Sequence, residues 1–121
     1  MTTFGVIGAM EEELQFLKKT VDIVSTKEVA GMEFNVGLYG GKSVVLVKSG
    51  IGKVNAAVCT QILIDLFGVD AVVNTGIAGS TDKNVHLGDV VVSKDLAHHD
   101  FDTTTFGAPK GMIPRLNMRF F

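Results

Sequence analysis

Ser43-Val44-Val45-Leu46-Val47, followed by Lys48-Ser49-Gly50-Ile51-Gly52 and then by Lys53-Val54-Asn55-Ala56-Ala57, is the stretch that decides the fold class. A short apolar run closed by a glycine-rich turn reads as a buried strand. The segment after it, about Lys53 to Phe67, keeps only Asn55, Thr60, Gln61 and Asp65 polar beyond its first residue, which predicts a core helix, with Gly68 as its stop. Strand, glycine loop and helix in that order make the repeating unit of an α/β protein.

The same unit recurs on either side. Phe4 to Ile7 is apolar, ends at Gly8, and precedes a helical pattern over about Met10 to Thr20. Ala71 to Val73 is apolar and runs into Asn74-Thr75-Gly76-Ile77-Ala78-Gly79-Ser80. Between the first and second units, Val29 to Leu38 alternates loosely as a strand, and Tyr39-Gly40-Gly41-Lys42 signals a hairpin turn. Val85 to Gly88 leads into a further expected strand, Asp89 to Ser93. The reading is a parallel or mixed sheet with its ligand crevice at the carboxyl ends of the strands, over Gly5–Glu13, Ser49–Lys53 and Thr75–Ser80.

After Ser93 the pattern weakens, and residues 94 to 121 contain no helix signal. A parallel sheet needs crossover helices on both faces, and the last expected strand has none. The sheet therefore reads as interrupted after its fourth or fifth strand, and the chain as a fragment of a single domain.

Composition bounds the function. The 121 residues are 46% hydrophobic and 20% charged, with a formal net charge of −2, so neither nucleic acid nor an anionic membrane is an expected partner. No apolar run approaches the ~20 residues of a membrane span. Met1-Thr2-Thr3-Phe4-Gly5 has no basic signal-peptide start. The single cysteine, Cys59, excludes a disulfide framework and suits a reducing cytosol.

Candidate chemistry starts with the first helix. At ~100° per residue, Met10, Leu14 and Leu17 share a face with Phe16 at its edge. Glu11 and Glu12 fall outside that face and suit the positive helix terminus. Glu13 falls inside it, and partial burial there would raise its pKa toward that of a general base. Other motifs are weaker. Gly40-Gly41-Lys42-Ser43 is not a phosphate loop, because Val36 stands where the first glycine is needed and a strand follows. Gly50-Ile51-Gly52 resembles a dinucleotide turn, but Asn55 replaces the third glycine. It also reads as a tight turn, or as a loop that approaches a small ligand through its backbone. His98-His99-Asp100-Phe101-Asp102 lacks zinc-site spacing and reads as a polar loop. Cys59, inside the apolar helix, reads as an inert core thiol.

Taken together, Gly5-Val6-Ile7-Gly8-Ala9-Met10-Glu11-Glu12-Glu13, Lys48-Ser49-Gly50-Ile51-Gly52-Lys53-Val54-Asn55-Ala56-Ala57, Asn74-Thr75-Gly76-Ile77-Ala78-Gly79, Leu87-Gly88-Asp89-Val90-Val91-Val92-Ser93, and His99-Asp100 with Thr105-Phe106-Gly107 occur in a specific order. This set closely resembles the bacterial 5′-methylthioadenosine/S-adenosylhomocysteine nucleosidases, of which it covers about the first half. The resemblance implies a mixed, largely parallel twisted sheet flanked by helices, of the phosphorylase/hydrolase type. It implies hydrolysis of the N-glycosidic bond of those nucleosides, without cofactor or metal, in a cytoplasmic homodimer. By the same resemblance Glu13 activates the attacking water, Ile51 walls the nucleoside pocket, and Ile77, Ala78 and Gly79 lie beside the ribose and the water. Thr103, Phe106 and Pro114 match positions that reach into the neighbouring subunit's pocket.

The sequence departs from the family pattern at Ile77, where a serine is common, and at Ser80, where glycine is common. Phe101 and Ala108 stand where alanine and tyrosine are usual. The family's leaving-group aspartate, ribose-binding glutamate and adenine-stacking phenylalanine lie in the half not matched here, so these residues alone imply no turnover. Two alternatives share the pattern: a phosphorylase of the same fold, and a non-catalytic nucleoside-binding or dimerising module. Phosphate would meet three glutamates at the first loop, and the only arginines are Arg115 and Arg119.

Overall fold

The computed structural model describes residues 2–121. The elements up to Gly79 form one compact unit and Ser80–Phe121 a second. In the first unit the order is β1 (Thr3–Gly8), α1 (Glu11–Thr20), β2 (Asp22–Val29), β3 (Met32–Tyr39), β4 (Lys42–Lys48), α2 (Lys53–Phe67) and β5 (Ala71–Asn74). The strands make a mixed sheet in the order β2-β3-β4-β1-β5. β1 is central and parallel to both β4 and β5, while β2-β3-β4 is an antiparallel meander.

The alternation along β4 explains why both faces of the sheet are covered. Val44 and Leu46 point one way, packing with Val21, Phe4, Val6 and Leu17 of α1. Val45 and Val47 point the other way, packing with Ile7, Met32, Phe34 and the α2 residues Cys59 and Leu63. This is why β4 carries an unbroken apolar run rather than alternating with polar residues. β1 follows the same rule with glycines. A Cβ at Gly5 would lie 2.8 Å from Leu63 Cδ1, and one at Gly8 would lie 2.7 Å from Leu14 Cγ. The missing side chains let one helix close on each face of the central strand.

The expected β4 and β5, both helices, the Gly68 stop and the hairpin at Gly40-Gly41 are present, although β5, expected to be buried, is exposed along its whole length. Three expectations need correction. The strand expected over Val29 to Leu38 is β3, which starts only at Met32; before it a two-residue turn at Ala30-Gly31, with φ of 52° and 73°, leads back to an unexpected strand, β2 (Asp22–Val29). This strand, β2, is exposed along nearly its whole length, so no apolar period marks it. Helix α2 is not buried all round: Cys59 and Leu63 are buried, but Val54, Val58, Ile64 and Leu66 are exposed. Among the described residues nothing covers that outer face.

The third correction falls in the second unit. Asp89–Ser93 is not a strand there, and Val90, Val91 and Val92 are 93%, 68% and 88% exposed. An apolar run of this kind forms a ladder only with partners beside it, and none of the described residues pairs with it. The unit is instead held by loop contacts. Leu96 and Phe121 exchange backbone hydrogen bonds, and Gly111 N–H donates to the Phe101 carbonyl. Ile113 and Met118 form an isolated antiparallel bridge. Thr104–Phe106 is a single 3-10 turn, and His98 lies against the rings of Phe101 and Phe121. No helix is long and apolar enough to cross a membrane among the described residues.

Candidate active site

Three parallel strands, β4, β1 and β5, end side by side, and their following loops are tied together. Ser49 N–H donates to the Gly8 carbonyl at 2.9 Å, joining β4 to β1. Thr75 N–H donates to the Ile7 carbonyl at 2.9 Å, joining β5 to β1. The chain leaves β1 toward β2 through α1, and leaves β4 toward β5 through α2, so the connections diverge at this end of the sheet. Open α/β sheets bind ligands where connections diverge in this way.

Glu13 occupies that end. It is the third residue of α1, half-buried, and its side chain folds back over the start of its own helix. Oε2 accepts from Ala9 N–H at 2.6 Å and from Met10 N–H at 3.1 Å. Oε1 accepts from Ile77 N–H, on the loop after β5, at 3.4 Å. One carboxylate therefore receives peptide donors from two strand-end loops. Met10 N–H above all, with smaller help from Ala9 and Ile77, holds its pKa below the ordinary 4.5 against the opposing effect of burial.

This reverses the expected direction for Glu13. The helical wheel places it correctly on the inner side of α1, but that side is lined by peptide N–H groups, which favour the charged form. The apolar arc is also narrower than read: Leu14 is fully buried, whereas Phe16 is 69% exposed. Glu11, on the outer side, bonds Lys18 at 2.9 Å and lies 3.5 Å from Lys48, so its pKa too is lowered.

The loop after β4 is set by Gly50 and Gly52, with φ of 80° and 105°, a backbone that side chains rarely allow. Asn55 Nδ2 donates to the Ile51 carbonyl at 2.9 Å and closes the loop. The asparagine that breaks the dinucleotide pattern thus pins this turn. Ile51 at its tip is 74% exposed.

Gly76, Ile77, Ala78 and Gly79 all lie on the loop after β5, and Ile77 meets Glu13 through its backbone while its side chain is 88% exposed. Gly76 was not among the expected site residues, yet a Cβ there would lie 2.9 Å from Glu13 Oε1. No sequence signal distinguishes it from the glycines around it. Thr103, Phe106 and Pro114 belong to the second unit: the Thr103 hydroxyl is buried without a hydrogen-bond partner, Phe106 is 88% exposed and Pro114 is exposed. Among the described residues no three His, Cys, Asp or Glu side chains cluster as metal ligands would. Cys59 is fully buried, and burial pushes its thiol up to about 11, which removes it from thiolate chemistry at neutral pH.

The phosphorylase superfamily profile matches residues 3–121. A 5′-methylthioadenosine/S-adenosylhomocysteine nucleosidase of Halalkalibacterium halodurans is 46% identical over 116 residues, which are 96% of this chain and 50% of that protein. The crystal structure of the Colwellia psychrerythraea nucleosidase, in complex with adenine, aligns with a TM-score of 0.94 at 48% identity, over 99% of this chain and 49% of that one. The Neisseria meningitidis nucleosidase bound to methylthio-immucillin-A aligns with a TM-score of 0.93 at 42% identity, over 100% and 52%. The chain spans about half the length of the curated relatives it matches. The ordered glycine loops and the mixed sheet thus have one common source: the chain belongs to the phosphorylase superfamily.

Proposed function

We propose that these residues are the N-terminal half of a single-domain nucleosidase that hydrolyses the N-glycosidic bond of 5′-methylthioadenosine and S-adenosylhomocysteine. The observation that carries the reading is the Glu13 carboxylate, kept ionised by Ala9, Met10 and Ile77 N–H groups at the carboxyl ends of β1 and β5. As the bond to adenine breaks, its electron pair leaves on the adenine nitrogen and the sugar becomes oxocarbenium-like. A fixed negative charge near the anomeric carbon offsets the positive charge that develops there. Water adding to that carbon becomes strongly acidic. Its oxygen bonds to carbon, one proton passes to Glu13, and the departing adenine takes up a proton from the leaving-group aspartate that the family carries in the half not matched here. A carboxylate of low pKa is a sufficient base for this late transfer.

Ile51 would wall the nucleoside pocket, and Ile77, Ala78 and Gly79 would lie beside the ribose and the water. Thr103, Phe106 and Pro114 would reach the neighbouring subunit of a cytoplasmic homodimer. Support for a covering partner comes from the exposed apolar faces of α2 and from Phe106. The phosphorylase alternative is disfavoured by charge, because Glu11, Glu12 and the ionised Glu13 line the first helical turn, where phosphate would have to bind.

The test supplies the missing half. The chain, fused to the part of the Halalkalibacterium nucleosidase that it does not cover, should release adenine from methylthioadenosine without phosphate. Glu13→Gln in that fusion should lower turnover by at least ~10²-fold. The 121-residue chain alone should release none. Phosphate-dependent release, or full activity in Glu13→Gln, would overturn the reading.

A further inference from the structure

We infer that Gly76 is a positioning residue for the Glu13 carboxylate: its lack of a side chain is what lets Oε1 lie against the peptide of Ile77. This rests on the reading of Glu13 as the water-activating group, and it is tested without turnover. The three nearest atoms to a Cβ built at Gly76 are Glu13 Oε1 at 2.9 Å, Cδ at 3.4 Å and Oε2 at 3.6 Å. All belong to the end of one flexible side chain, so a methyl group at position 76 displaces the carboxylate rather than the fold. Gly76 also lacks the positive φ that would make alanine strained in itself. Gly79, on the same loop, has nothing within 4 Å of its Cβ position.

The two carboxylate oxygens are held unequally. Oε2 takes two peptide donors at 2.6 and 3.1 Å, whereas Oε1 has one long contact at 3.4 Å. Oε1 is therefore the oxygen with free acceptor capacity, and Gly76 sets where it points. The charged neighbours are Glu11 and Glu12 on α1 and Lys48 at the end of β4, with Glu11 paired to Lys18 and Lys48. None of them is among the causes of the lowered Glu13 pKa, so the peptide contacts can be read separately.

The experiment is an NMR titration of the 121-residue chain, following the Glu13 side-chain carboxyl carbon and the Ile77 amide, with Glu13→Gln to assign the signals. In the wild type both should titrate with one midpoint below 4.5. Gly76→Ala should move the Glu13 midpoint upward and uncouple the Ile77 amide from it, while Gly79→Ala leaves both unchanged. An Ile77 amide that ignores the Glu13 midpoint in the wild type would overturn the inference, whether or not Gly76→Ala folds. So would a Gly76→Ala protein that titrates like the wild type. Neither result depends on whether the fused enzyme turns over.

Discussion

Replacing Gly5 by alanine puts a methyl carbon 2.8 Å from Cδ1 and 3.2 Å from Cδ2 of Leu63, a side chain with no exposed surface. The nearest obstacle is thus a single leucine, and the cost should vanish when that leucine is shortened. Alone, Gly5→Ala overpacks the contact between β1 and α2 and should cost ~1–3 kcal/mol. Leu63→Ala removes three buried carbons, ~2.4 kcal/mol at ~0.8 kcal/mol each, and with the cavity left behind the total is ~2–5 kcal/mol. In the double variant the new methyl group enters the space that Leu63 vacates. There Gly5→Ala should be neutral or stabilising by ~0.4–1 kcal/mol, since alanine restricts the unfolded chain more than glycine does. The coupling between the two sites is then ~1–4 kcal/mol. Urea denaturation followed by circular dichroism and by Tyr39, the one tyrosine in a chain without tryptophan, measures all four corners of the cycle. Leu63→Val closes the same cycle at lower cost if Leu63→Ala leaves too short a folded baseline. Additivity within ~0.5 kcal/mol would refute the claim that Gly5 exists to admit Leu63.

Further outcomes follow from the site and the turns. Glu13 is more acidic folded than unfolded, so its stabilising contribution is present above the ordinary 4.5 and is lost as pH falls through the lower folded value. Thermal melts across that acid range should therefore fall less steeply for Glu13→Gln than for the wild type; equal slopes would contradict the peptide clamp. Ala30 is exposed and has a φ of 52° at the β2–β3 turn, so Ala30→Asn should stabilise by ~0.5–1 kcal/mol, read as a higher urea midpoint. Cys59 should not react with a thiol reagent in native buffer and should react promptly in denaturant. Rapid native labelling would place the thiol outside the core described by its 0% exposure.

How much of this was legible depends on whether a residue's environment is local. β4 and β1 are readable because a strand covered on both faces must be apolar throughout, and α1 because its inner and outer residues differ. β2 is not readable: Asp22–Val29 is a mostly exposed edge strand, and its turn uses Ala30-Gly31 instead of an asparagine-glycine pair. Asp89–Ser93 fails for the opposite reason, since its valines carry a strand signal that needs partners absent from the described residues. In the site, Glu13 is found by helical spacing. The sign of its pKa is not, because the Ile77 N–H that helps to hold it comes from the far side of β1, from a loop that sequence spacing does not connect to α1. Gly76 matters only through that same approach.

The central place of β1 has a consequence for how the polypeptide is made. Phe4 pairs with both Val44 and Ala71, so the strand that leaves the ribosome before its partners has neither neighbour when it emerges. At roughly 5–20 residues per second, β1 waits several seconds for β5. During that interval β2, β3 and β4 can zip through their two tight turns, while Val6 and Ile7 still lack their β5 neighbours Val73 and Asn74. Such long-range parallel pairing folds slowly and exposes the nascent chain to aggregation. The strand that leads into α1 is thus among the last to be locked into the sheet on both sides, and Glu13 gains its contact with Ile77 only when the β5 loop arrives.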